Sequence, residues 1–369
     1  MRLRRTPALA LLALVALFAA VAGGCGGSQP VSANEGGKQA SESSGRIVLN
    51  GSGATFPEPV YVKWAGQFGK SHPNVQVNYQ GIGSGGGIEQ FSGGITDFGA
   101  SDAPMSDEEL AGARKNAGDV LHIPTVLGSV AVTYNVSGVS DLKLDGRALA
   151  DIFLGKIRRW NDPRIAKLNG GASLPETEIK VVHRSDSSGT SFIFTGYLSA
   201  VSRAWRAQVG QDKAPEWPSG IGAEGNDGVA SSIQQTDGAI GYNELAYALE
   251  NKIAYASLEN ASGEWVKPSL ETTTAAGEGV EYPADLRFSL LNSEAPGAYP
   301  IVSATWQLLW KHPSKAGMTR AEARALATWV TWELTDGQDS AAELNYAPLP
   351  KDLQKAAVDA VDTMTIPSS

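Results

Sequence analysis

The chain has 369 residues, a formal charge of −9, and one cysteine beside four histidines. Hydrophobic residues at 42% and charged residues at 19% describe a globule and exclude a disordered chain, while 42 glycines and 19 prolines carry no collagen period. The acidic balance excludes a surface that neutralises a nucleic-acid backbone, and so few Cys and His exclude a zinc cage or an internal disulfide.

In chain order, Arg2, Arg4 and Arg5 precede an unbroken apolar run from Ala8 to Ala22, followed by Gly23, Gly24 and Cys25. Fifteen apolar residues fall short of the roughly 20 that span a bilayer, so residues 1–24 are expected to be a signal peptide that is cut off. Cleavage there would expose the lone cysteine, as in a bacterial lipoprotein signal. Cys25 is the expected lipidation site, placing the protein outside the cytoplasm on the cell membrane; without the three arginines the charge becomes −12. Residues 25–45 are Gly-, Ser- and polar-rich and read as a flexible tether reaching roughly 25 Å.

From Arg46 onward, β-branched runs alternate with helical patterns. Ile47–Leu49 and Val75–Val77 read as strands around a helix carrying Tyr61, Trp64 and Phe68, a βαβ unit. A Ser106/Glu109 capping box opens a helix to Asn116. Extended residues follow from Val120 to Val132, and a strand over Ile179–Val182 leads into a helix over Thr190–Val201. Ala239–Tyr242 is a strand, and Thr319 with Glu322 caps a Trp-rich helix ending near Leu334. Trp306, Trp310, Trp329 and Trp332 read as core or helix-packing residues. The alternation predicts an α/β fold with largely parallel sheets and a ligand beyond the carboxyl ends of the strands.

Three segments share one chemical character: Gly51-Ser52-Gly53-Ala54-Thr55-Phe56-Pro57, Gly81-Ile82-Gly83-Ser84-Gly85-Gly86-Gly87, and Arg184-Ser185-Asp186-Ser187-Ser188-Gly189-Thr190. Each joins a strand to a helix N-terminus with hydroxyls and little bulk, where unpaired N–H groups and the helix dipole favour an anion. Gly81, Gly83 and Gly86 also fit G-x-G-x-x-G, but a device used three times fits one compact anion better than one pyrophosphate.

These residues carry a resemblance. GSGATFPEPV (Gly51–Val60), YQGIGSGGG (Tyr79–Gly87), DFGASDAP (Asp97–Pro104), DIFLGKIRRW (Asp151–Trp160), RSDSSGT (Arg184–Thr190) and GAIGY (Gly238–Tyr242) are similar to the phosphate-binding proteins of bacterial phosphate-specific ABC transporters. The resemblance implies a two-lobed, type II-like periplasmic-binding-protein fold, each lobe a sheet flanked by helices, closing on inorganic phosphate. It implies phosphate contacts at Ala54, Thr55, Phe56, Ser84, Asp102, Arg184, Asp186, Ser188, Gly189 and Thr190. The chain departs from the family at Ser187, where many members carry Gly, and at Gly85, where Ser is frequent.

The residue types are coherent with that ligand. Hydroxyls and backbone amides donate, and Arg184 offers a planar fork that Asp186 can orient. Asp102 would repel an anion unless the anion brings a proton, which phosphate has near neutral pH and sulfate lacks. Chain order suggests one lobe of residues 46–129 and 299–369 and another of 130–298, with crossings near Leu127–Val132 and Ala298–Ser303. The expected protein is a monomer without enzymatic activity, cofactor or metal, whose partners are phosphate and the permease and ATPase subunits of an importer. Lys156-Ile157-Arg158-Arg159 reads as a solvated helix face or a docking patch. Three other readings stay open: a receptor for sulfate or molybdate, a secreted phosphoester hydrolase, for which His183, Asp186 and Ser188 could be drawn as a triad, and an adhesin.

Overall fold

The computed structural model describes residues 45–170 and 173–367. The expected signal peptide, Cys25 and most of the tether lie outside the described residues. Within them, no helix is long and apolar enough to cross a membrane.

The chain opens with the anticipated βαβ unit. Strand β1 (Ile47–Gly53) leads to helix α1 (Glu58–Ser71) and strand β2 (Val75–Gly81), and α1 buries Val60, Tyr61, Trp64 and Phe68 on one face. Helix α2 (Ser84–Ser92), strand β3 (Phe98–Ser101) and helix α3 (Asp107–Ala117) follow. The Ser106/Glu109 capping box forms in both directions at the start of α3.

Strand β4 (Val120–Asn135) is long, and nearly all of it is buried. After it come strand β5 (Lys180–Arg184), helix α4 (Gly189–Val201), strand β6 (Ile221–Ala223), helix α5 (Gly225–Gln235) and strand β7 (Ala239–Glu244). Strand β8 (Val302–Trp310) and helix α6 (Arg320–Leu334), capped by Thr319 and Glu322, return to the first half.

These eight strands form one sheet in the order β2-β1-β3-β8-β4-β7-β5-β6, with a short pair at Ala254–Tyr255 on β4, and Lys143–Leu144, Ser257–Glu259 and Trp265–Val266 form a separate small sheet. Expectation and structure differ here. The outer strands pair in parallel, as β2-β1-β3 and β7-β5-β6, but β8 runs antiparallel to both β3 and β4, and β4 antiparallel to β7, so the sheet is mixed. The physical cause is β4: up to Ser129 it pairs with β8, and from Val130 it pairs with β7. A strand that serves both halves joins them into a continuous ladder, and β8 returns beside it without a crossover helix. The architecture is α/β, a curled mixed sheet flanked by helices. Trp306, Trp310 and Trp329 are at most 1% exposed and belong to its core, with Trp332 packed against it.

Candidate functional site

The carboxyl ends of β1, β3 and β5 and the N-termini of α1, α2 and α4 meet at one place. Asp102 bonds to Ser84 and Thr305, Ser84 to Gly189, and Thr55 reaches Thr190 through a shared asparagine. Ser84, Asp102, Arg184, Ser188 and Thr190 are all at most 3% exposed. The three separate segments singled out in the sequence are therefore brought together.

After β1 the backbone is held by phenols. Tyr79 donates to the carbonyl of Ala54 at 2.7 Å, and Tyr247 donates to that of Thr55 at 2.6 Å. In a trans peptide the N–H points opposite to the preceding C=O, so these bonds aim the amides of Thr55 and Phe56 away from the phenols. Neither amide meets a protein acceptor among the described residues. Ala54 differs: its N–H goes to the carbonyl of Ala100 at 2.9 Å, so it supplies no donor.

Ser84 opens α2, and its Oγ accepts from the amides of Asp102 at 3.2 Å and Gly189 at 3.1 Å. With both acceptor positions taken, its proton is free to donate outward. The amide of Gly189, an expected donor to the ligand, is engaged by this bond.

Asp102 follows β3. Its Oδ1 accepts from Thr305 Oγ1 at 2.8 Å, while its buried Oδ2 has no partner among the described residues. A Cβ on Gly189 would lie 2.6 Å from that Oδ2, so only glycine lets the start of α4 close over the carboxylate. Burial pushes the Asp102 pKa up to about 7, against the opposing effects of the Thr305 hydroxyl and the Arg184 charge. At neutral pH this carboxyl is poised between its two forms.

Arg184 ends β5. Its Nε and Nη2 donate to the two oxygens of Asp186 at 2.7 and 2.5 Å, and Nη1 donates to Thr190 Oγ1 at 3.3 Å. One edge of the guanidinium is thus spent on orientation, and its end, Nη1 with Nη2, is what remains for a ligand. Asp186 faces Arg184 and the amide of Gly225, at 3.2 Å, and acts as a clamp. Ser188 Oγ caps α4 by accepting from the amide of Ser191 at 3.1 Å, which leaves its own proton. The amide of Thr190 has no acceptor among the described residues.

The two departures from the family pattern face each other. The amide of Gly85 donates to the carbonyl of Ser187 at 2.9 Å, and a Cβ on Gly85 would lie 2.2 Å from Ser187 Oγ. The volume absent at Gly85 is filled from the opposite segment.

Sequence reasoning gave no role to Asn226, Thr305, Tyr79, Tyr247 or Tyr346, the last of which donates to the carbonyl of Phe56 at 2.6 Å. Asn226 had a signal: Gly225-Asn226 opens α5 directly after β6, a fourth junction of strand, glycine and helix. Tyr79 stands at the head of the YQGIGSGGG motif; Thr305, Tyr247 and Tyr346 had no signal, since each acts only through contacts with distant segments. His183, Asp186 and Ser188 do not act as a triad. His183 stacks on Trp217 with ring centroids 4.8 Å apart and bonds the carbonyl of Arg184, while Asp186 and Ser188 are committed as above.

Comparison with known proteins places the chain in a family. The model of the PBP superfamily domain matches residues 37–333. The phosphate-binding protein PstS of Pasteurella multocida is 44% identical over 310 residues, covering 83% of this chain and 87% of its own. That of Methanocaldococcus jannaschii is 38% identical over 370 residues, covering 95% and 93%. Among solved structures, a phosphate-binding protein from Stenotrophomonas maltophilia superposes with a TM-score of 0.64 at 19% identity, over 85% of this chain and 93% of that one, a likeness of fold. With helix N-termini, hydroxyls and a buried arginine gathered around an acidic acceptor, and relatives matched over most of their length, the chain belongs to the PstS family of phosphate-binding proteins.

Proposed function

We propose that this protein is an extracytoplasmic solute-binding protein that captures inorganic phosphate and hands it to an ABC importer. The observation that carries this reading is Asp102 Oδ2, a buried carboxylate oxygen without a partner among the described residues, beside hydroxyls and amides with protons to donate. A hydrogen-bonding acceptor in a nest of donors fits an anion that carries its own proton. Phosphate does so in both forms present near neutral pH.

In this reading the amides of Thr55, Phe56 and Thr190, the hydroxyls of Thr55, Ser84, Ser188 and Thr190, and the free end of Arg184 surround the phosphate oxygens. Ala54 and Gly189 shape the wall, and Asp186 holds Arg184. A proton shared between phosphate and Asp102 Oδ2 completes the set. No bond is broken, so the cycle is capture, closure and release.

Closure supplies the signal to the importer. Residues 46–129 with 299–369 form one lobe and 130–298 the other, hinged where β4 changes partner at Ser129 and Val130 and where the chain returns before β8. The bridging bonds from Gly189 to Ser84, from Asn226 to Thr55 and from Tyr247 to Thr55 exist only when these lobes meet. The permease and ATPase subunits of the importer are the partners that would read the closed shape, and a lipid on Cys25 would keep the protein beside them.

Titration with phosphate, sulfate and arsenate, followed by calorimetry and tryptophan fluorescence, tests the reading. Saturable phosphate binding that excess sulfate does not displace is expected; equal response to both anions would remove the role given to Asp102.

A further inference from the structure

Asn226 is fully buried at the start of α5 and lies between the two threonines of the site. Its Oδ1 accepts from the backbone N–H of Glu244 at 2.9 Å. A backbone N–H can only donate, so this bond fixes which way the amide faces and turns Nδ2 toward the site. Nδ2 has two protons and uses both: one bond goes to Thr55 Oγ1 at 2.9 Å, the other to Thr190 Oγ1 at 3.2 Å. The backbone N–H of Asn226 gives Thr55 Oγ1 a second donor at 3.2 Å, and Arg184 Nη1 gives Thr190 Oγ1 its second at 3.3 Å.

A hydroxyl has two lone pairs and one proton. Both lone pairs of each threonine face these donors, so the remaining group is an O–H. A free hydroxyl can turn to accept as readily as to donate; these two cannot. We propose that Asn226 is a positioning residue that makes Thr55 and Thr190 obligate donors to the bound anion, one amide setting the polarity of both. The assignment rests on the phosphate reading of the site. It also explains why the side chain is an amide: Asp would offer oxygens to the hydroxyls and draw their protons inward, and an apolar residue would leave them free to rotate.

The test compares phosphate affinity in wild type, Asn226→Ala, Asn226→Asp, Thr55→Val and the double variant Asn226→Ala/Thr55→Val. Asn226→Ala is expected to bind about 10- to 100-fold more weakly, the loss of prearranged donors to a charged group, and Asn226→Asp more weakly still. Thr55→Val should cost about 10-fold in wild type and under about threefold on top of Asn226→Ala, because the hydroxyl it removes is no longer aimed. A packing role alone gives equal Thr55→Val losses in both backgrounds and near-normal binding by Asn226→Asp; either result overturns the proposal. Melting of each ligand-free variant is measured alongside. Should Asn226→Asp melt far below wild type, the cycle of Asn226→Ala with Thr190→Val decides by the same criterion. Wild-type protein that does not bind phosphate overturns the phosphate reading itself, and this assignment with it, whereas normal wild-type binding with additive losses sinks only the role of Asn226.

Discussion

The two sides of the site are built from different chemistry. The side formed after β1, β2 and β3 supplies amides, hydroxyls and the carboxylate of Asp102, and among the described residues it holds no buried cation. The side formed after β5 and β6 supplies the guanidinium, clamped by Asp186 with the pair only 1% and 13% exposed at their side chains. Acceptor and cation are thereby kept on opposite segments, with the start of α4 closing over the carboxylate. The difference teaches that neither side is a phosphate site alone: one lacks charge to attract the anion, the other lacks the acceptor that tells it from sulfate.

Removing the cation should break the comparison most severely. Arg184→Met leaves the part-buried Asp186 without its cationic partner and one side without positive charge; phosphate affinity measured by calorimetry is expected to fall about 10³-fold. Asp102→Asn acts on the opposite side. It removes the acceptor and adds a donor, so phosphate should weaken while sulfate gains, and the phosphate-to-sulfate ratio should fall about 100-fold or more in competition titrations.

The same contrast has a pH form. Because Asp102 titrates near 7, lowering the pH through that value gives the carboxyl its own proton to donate. Sulfate should then compete better below pH 7 than above it in wild type, and Asp102→Asn should show no such trend. Folding stability without ligand follows the linkage sign. The folded-state pKa of Asp102 lies above its ordinary value, so the folded protein binds this proton more tightly, and the associated stability is lost as pH rises from about 4 to about 7. Glu244 and Glu333, pushed well up by burial, add slopes of the same sign. Asp102→Asn should flatten the denaturation profile only in part.

The smallest expected effect lies where the two sides touch. Gly85→Ser places an atom 2.2 Å from Ser187 Oγ and should weaken phosphate binding about 10-fold by resisting closure. Adding Ser187→Gly should restore binding to within about threefold, a non-additivity that identifies the contact.

Much of this was legible in the sequence because its causes are local. The capping box at Ser106, the cap at Thr319, the βαβ opening and the strand-to-helix glycines are short-range patterns whose physics needs only neighbours. The mixed sheet was not legible, since nothing within β4 says that it will change partners at Ser129 and Val130. Asp102 could be singled out by its sign against an anion, but not its raised pKa, which comes from a burial that other segments impose. Arg184 and Asp186 were readable as a pair two residues apart; that the pair uses up one edge of the guanidinium is a matter of geometry.

By itself the sequence determined the donors, because a helix start rich in Gly, Ser and Thr exposes amides and hydroxyls wherever it is placed. Only the tertiary structure decided which way those donors face and what they surround. Asn226 reaches Thr55 across 171 positions and Thr305 reaches Asp102 across 203. Hydrogen bonds specify a ligand by direction, and direction at this site is fixed by partners that the chain brings from afar.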